Sequence, residues 1–255
     1  MTDAWTGCRP QLIAGLASLA IILAAAPAVA QTASTVAVQA VTPTGDGRAK
    51  VAECSGVAIA PDLVLTAGHC LDAITQPSQV AVFAYDGAAP KPPFVAVAAF
   101  ARRPGHVIGW RRQAGDPSTR RREIAADLAL LRLGRPLATG SAPLAETPKE
   151  PIAGGSFSGV GASAAGGRGG RMKRVTLSSI RLATGEGAQV AFASAAATVC
   201  GGDSGGPVSA GDGRVWGIVA AVLQPKGGCG ARIVIAPVDP QSEEFRRMRA
   251  AVQAR

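Results

Sequence analysis

Three short segments bring together residue types that could do chemistry jointly. The first is Cys200-Gly201-Gly202-Asp203-Ser204-Gly205-Gly206-Pro207. A serine set between glycines lies on a tight turn with open backbone around it, so its hydroxyl is accessible as a nucleophile. The N–H groups of Gly202 and Ser204 could converge on one point and stabilise the oxyanion of an acyl-transfer intermediate. The second segment is Leu65-Thr66-Ala67-Gly68-His69-Cys70, which places a histidine at the end of an apolar strand, tied to a cysteine. The third is Ala126-Asp127-Leu128-Ala129-Leu130-Leu131-Arg132-Leu133, an acid opening an apolar strand. A serine nucleophile needs a base, and the base needs an acid to orient it.

Each residue also has a plainer reading. Ser204 could be a turn serine, His69 a satisfied core histidine, and Asp127 an acid capping a strand. Asp116 rivals Asp127, but it lies in an Arg-rich stretch with no strand to hold it. His106 is the second of two histidines, falls in the same stretch, and is expected to face solvent.

These residues must be carried by strands. Runs of β-prone residues recur near 35–41, 55–60, 63–66, 79–85, 94–101 and 127–133. A second six follow near 152–158, 172–183, 188–193, 207–210, 215–223 and 231–236. Between the sets, Gly134–Pro151 is rich in Pro, Gly, Ser and Thr and reads as a connector. The fold class is therefore all-β, with two packed six-stranded antiparallel β-barrels, since closing each sheet removes its edges. Arg102–Arg122, with seven arginines, and Gly161–Gly170 read as exposed loops. At the end of the chain, Asp239 can cap a short helix with Pro240 at its first position. Phe245, Met248 and Val252 then share one helical face, expected to pack on the second barrel. The expected divisions are residues 1–30, 31–140 with His69 and Asp127, 141–238 with Ser204, and 239–255.

Composition agrees with this plan. In 255 residues, 47% are apolar and 17% charged, which excludes a disordered chain. The 32 Gly and 18 Pro disfavour a bundle of long helices. Two histidines exclude a multi-histidine metal site, and the five cysteines have no close-spaced zinc pattern. No metal and no cofactor is expected. Leu12–Ala26 is an apolar run after Arg9, followed by Pro27 and Ala28-Val29-Ala30. That is the layout of a secretory signal cleaved after Ala30, and the run is short for a membrane span. Cleavage removes Cys8 and leaves Cys54, Cys70, Cys200 and Cys229, an even set that suggests two disulfides. Four cysteines allow three pairings, and the spacing alone does not choose.

Taken in order, the His69, Asp127 and Ser204 segments resemble the chymotrypsin-like, trypsin-fold serine proteases. The Gly-Asp-Ser-Gly-Gly-Pro core is the most specific of the three motifs. The resemblance spans Cys54 to about Val238. It implies Ser204 as nucleophile, His69 as general base and acid, and Asp127 as the residue that orients His69. It implies the disulfides Cys54–Cys70 and Cys200–Cys229. Ser158-Gly159-Val160-Gly161 is similar to a segment that shapes the substrate cleft. Thr198, six before the nucleophile, is expected at the base of the primary pocket, with Ala220 among the substrate-binding residues, Ala221 opening the floor under the substrate, and Val222 and Ile233 at the walls. Thr198 is neutral, so cleavage is expected after small or aliphatic residues rather than Arg or Lys. Implied partners are polypeptide substrates and a proteinaceous inhibitor, with no nucleic acid and no membrane beyond the signal. A monomer, secreted or periplasmic and of bacterial type, completes the reading.

Two features depart from the family. No Ile-Val-Gly-Gly-like start precedes Cys54, so Asp203 needs another cation; Arg168, Arg171, Lys173 and Arg174 are candidates. At Ala220 the family usually has a serine that hydrogen-bonds the triad acid, and Ala221 replaces a usual tryptophan. The competing function is an inactive homologue that binds peptides. A further one is a polyanion-binding protein using Arg102–Arg122, disfavoured because Trp110 is the lone aromatic there.

Overall fold

The computed structural model describes residues 33–109, 120–147, 152–161, 170–185, 187–223 and 228–254. The expected signal segment, Trp110, Asp116 and Arg168 lie outside these residues. The twelve expected strands are β1 (Thr35–Pro43), β2 (Ala49–Ala60), β3 (Leu63–Thr66), β4 (Val80–Asp86), β5 (Ala89–Arg102) and β6 (Ala129–Leu133) in the first half. The second half contains β7 (Ile152–Gly159), β8 (Lys173–Gly185), β9 (Ala188–Val199), β10 (Pro207–Ser209), β11 (Val215–Val222) and β12 (Gly230–Pro237). Each set closes into an antiparallel six-stranded barrel, in the orders β1-β2-β3-β6-β5-β4 and β10-β11-β12-β9-β8-β7.

The period of two explains the strands. In β5, Val95, Val97 and Ala99 point into the barrel while Phe94, Ala96 and Ala98 point out. In β8 the inward residues are Val175, Leu177 and Ile180. The skipped position coincides with a bulge at Ser178 to Arg181, where Ser179 takes φ of 52°. The second core is built around Phe157, Trp216, Ile233 and Ile235. The first contains Val36, Leu65 and Leu130 and continues across the interface to Ile218 and Val234 of the second barrel. The connector changes barrels within three residues: Ala142 N–H donates to Ala58 O, and Leu144 pairs with Val215.

Three local expectations are corrected. The Arg-rich stretch is not all loop, because Arg121–Ala125 forms a short helix, α1, with Ile124 and Ala125 buried. The terminal helix, α2 (Glu243–Gln253), is capped by Ser242 rather than Asp239. Ser242 Oγ accepts from Phe245 N–H, and Glu243 and Glu244 fill the first turn, where carboxylates favour the helix dipole. Asp239 instead closes the preceding turn by accepting from Gln241 N–H. Phe245, Met248 and Val252 are buried as expected, but α2 lies on β5 and β6 of the first barrel. Arg132 Nε holds it there through Val252 O at 2.7 Å.

Candidate active site

β3 is buried along its whole length and ends at Thr66. The chain then enters a 3-10 turn, Gly68–Leu71, which carries His69. Asp127 sits on the turn between α1 and β6, two residues before the strand that was expected to begin with it. Its N–H donates to Ile124 O. β3 and β6 are paired neighbours, with Thr66 opposite Ala129, so the two turns meet at one barrel end. His69 Nδ1 lies 2.7 Å from Asp127 Oδ2, and the His69 backbone N–H donates to Asp127 Oδ1 at 2.7 Å. The Asp127 side chain is 0% exposed and the His69 side chain 8%. Two contacts from one residue fix both the ring and the turn that bears it.

Ser204 is brought to this pair by the second barrel. Its carbonyl accepts from Ser55 N–H at 2.8 Å and lies 3.9 Å from Sγ of Cys70, the residue after His69. Gly205 has φ of 83°, and a side chain there would collide with Ser55 O and Thr66 Oγ1. Asp203 N–H donates to Cys200 O and Gly205 N–H to Val219 O. Among the described residues no backbone carbonyl accepts from the N–H of Gly202 or Ser204. Ser55, which sequence reasoning passed over, ties these parts together. Its Oγ donates to Gly202 O and accepts from Val160 N–H, and its carbonyl accepts from Thr66 Oγ1. A serine beside Cys54, inside an otherwise apolar run, was the available signal.

Asp203 is fully buried, and its cation is Lys173, with Nζ 2.6 Å from Oδ2. Gly161 N–H and Cys200 N–H also donate to the carboxylate, each at 2.9 Å. Burial pushes the Asp203 carboxyl above the usual range, while Lys173 and the two N–H groups pull it back. Of the other candidates, Arg174 turns to Ser156 Oγ. The segment Ser158–Gly161 thus wraps the Asp203 carboxylate.

The residues expected at the pocket fall in different places. A cavity of about 180 Å³ adjoins Ser204 and is lined by Val199, Val219, Ala221, Val222 and Gly228, among others. Val222 is on its wall. Thr198 is exposed, with its carbonyl 3.4 Å from Lys173 Nζ, so Val199 rather than Thr198 lies against this cavity. Ala220 is buried in the core instead of lining it, because alternate residues of β11 face opposite sides. Ile233 also packs in the core, in the second cluster. A larger cavity of about 550 Å³ adjoins His69, between Ile74, Ile108 and Asp72. His106, expected in solvent, is buried beside Asp127 with its side chain 3% exposed.

Both expected disulfides form, Cys54–Cys70 and Cys200–Cys229, with Cα atoms 6.2 Å and 4.1 Å apart. Cys54, His69 and Cys70 cluster within metal-ligand reach, but bridged sulfurs are not thiolate ligands. Among the described residues no helix is long and apolar enough to cross a membrane.

One closed six-stranded barrel thus carries a buried aspartate–histidine pair, and the other carries a serine in a glycine-rich turn next to it. A family model described as Trypsin matches residues 29–242, and the chain belongs to that family. Its structure is similar to the active form of protease Rv3671c from M. tuberculosis, at 20% identity and TM-score 0.53, covering 98% of this chain and 94% of that one. It is also similar to the scabies mite inactivated protease paralogue S-I1, at 18% identity and TM-score 0.59, covering 89% and 97%. A second mite paralogue, S-D1, matches at 14% identity and TM-score 0.57, covering 82% and 88%. No protein of curated function matches the sequence.

Proposed function

We propose that this chain is an exported serine endopeptidase that hydrolyses peptide bonds through an acyl-enzyme on Ser204. The carrying observation is the buried 2.7 Å His69–Asp127 pair at the turn against which the Ser204 loop is clamped. His69 takes the Ser204 proton as the hydroxyl attacks the carbonyl carbon and returns it to the leaving amine. Asp127 holds the ring and stabilises its imidazolium. The N–H groups of Gly202 and Ser204 receive the oxyanion. Lys173 supplies the cation for Asp203, so the site does not depend on a freed N-terminus. No cofactor takes part in this reading.

The small apolar cavity beside Ser204 supports cleavage after small or aliphatic residues, since among the described residues no carboxylate lines it to meet a cation. In this reading the 550 Å³ cavity at His69 would receive residues after the scissile bond, since His69 delivers the proton to the leaving amine. The disulfides suit an oxidising compartment, with export after cleavage at Ala30 and action as a monomer. Two similar structures are of inactivated paralogues, but here His69, Asp127 and Ser204 are all retained. A fluorophosphonate probe should label Ser204 alone. Ser204→Ala should abolish labelling and lower peptidase turnover by about a millionfold with the fold intact. Unchanged peptidase activity in that variant would remove Ser204 from its role.

A further inference from the structure

His106 enters no step above, yet it occupies the other side of the Asp127 carboxylate. Its Nε2 is 2.8 Å from Asp72 Oδ1, and its Nδ1 is 3.7 Å from Asp127 Oδ1. Among the described residues Nδ1 has no hydrogen-bond partner, although the side chain is 3% exposed. A buried polar atom in that state calls for an explanation. The space for the ring is made by Gly68, where a Cβ would lie 2.7 Å from Nδ1, so the residue before His69 must lack a side chain. Asp72 is itself held. Its Oδ2 accepts from Gly109 N–H, and its own N–H donates to His69 O at the end of the His69 turn. The ring therefore bridges the loop after β5, the His69 turn and Asp127.

Ala220 gives this arrangement its meaning. It is fully buried in β11 within the same cluster as Leu128 and offers no hydroxyl to the acid. We infer that His106, held by Asp72, is the positioning residue for Asp127 and does from the loop after β5 what a side-chain donor on β11 would otherwise do. With Nε2–H given to Asp72, only the doubly protonated ring offers a donor to both carboxylates. The ionisable groups described around it are Asp72, Asp127 and, across Asp127, His69, while Arg102 interacts electrostatically with Asp72 and bonds Leu71 O and Ile74 O. Arg103 is engaged elsewhere, with Ala125 O at 2.9 Å and Glu244 at 4.0 Å. His106 touches no reacting atom and acts through Asp127, as a partner that orients a ligating or catalytic group does elsewhere.

This inference rests on the triad reading, and its test separates the two. On a small chromogenic peptide, His106→Leu should lower kcat by about ten- to a hundredfold while KM moves less than about threefold. His106→Gln, which keeps a donor, should recover part of that loss. Asp72→Asn should fall between them, which covers the case of a His106 variant that does not fold. The second readout needs no activity. With two histidines in the chain, His69→Ala assigns both imidazole Cε1–H resonances. Asp127→Asn should then move the His106 resonance, because one of the two carboxylates facing the ring is gone. Wild-type turnover with unchanged kcat in His106→Leu, or a His106 resonance indifferent to Asp127→Asn, overturns the positioning role. No turnover in the wild type, with the His106 resonance still responding to Asp127→Asn, leaves the positioning role standing and removes the peptidase reading.

Discussion

Asp203 is the residue where charge and burial oppose each other most directly. Its carboxylate is fully buried with one ammonium at 2.6 Å and two backbone donors. Removing the ammonium by Lys173→Met would strand the charge, which costs about 3 kcal/mol when one partner of a buried pair is lost. Thermal unfolding should show that loss, and probe labelling of the adjacent Ser204 should slow in parallel. Lys173→Met with Asp203→Asn should be more stable than Lys173→Met alone. The sign with pH follows from burial. A carboxyl raised in the folded state binds its proton more tightly there than in the unfolded chain. The stabilisation it provides is complete below the ordinary carboxylate range and declines as pH rises through the raised folded value. The stability of the wild type relative to Asp203→Asn should therefore fall across that interval. A difference that grows with pH would show that Lys173 outweighs burial.

Among the elements, α2 shows how a local pattern and its docking site separate. Its apolar face was legible from three residues at helical spacing, because an amphipathic helix must bury one stripe. Which barrel receives that stripe was not legible, since the surface comes from β5 and β6, over a hundred residues earlier. Met248→Ala should lower unfolding free energy by about 2–5 kcal/mol through the cavity left against the first barrel. Ser242→Ala should lower it by about 1 kcal/mol through the lost cap, while Asp239→Ala leaves helix content unchanged. Circular dichroism with chemical denaturation measures both. The cap was misplaced because Asp-Pro matches a helix start as well as Ser-Glu-Glu does, and the backbone decides which bends.

For the whole molecule, the residues proposed to react lie at the junction of two closed barrels. The first holds His69 and Asp127, the second holds Ser204, and Ser55 links them by bonds to Ser204 O, Gly202 O and Val160 N–H. In the proposed reading, substrate choice depends on the cavity between Val199, Ala221 and Val222. Val222→Gly should widen it and raise kcat/KM for Leu or Phe over Ala before the scissile bond by about tenfold, since a few methylenes change binding by about 1–3 kcal/mol each. A peptide library varied at that one residue measures the shift. Faster turnover of Arg or Lys substrates than of Ala or Val substrates by the wild type would sink the aliphatic preference.

The sequence by itself determined the twelve strands, their division into two sets, the glycine-bounded serine and the ordered histidine, aspartate and serine segments. Those signals are local: an alternating run declares its own buried face, and a glycine-rich turn declares its own conformation. Tertiary structure alone decided that Lys173 pairs with Asp203, that His106 is buried against Asp127, and that Val199 rather than Thr198 meets the cavity beside Ser204. Each is a contact between segments far apart in the chain or a choice between neighbouring residues on one strand. The closing of the two barrels sets the register that makes each of those choices, and no short window of residues contains it.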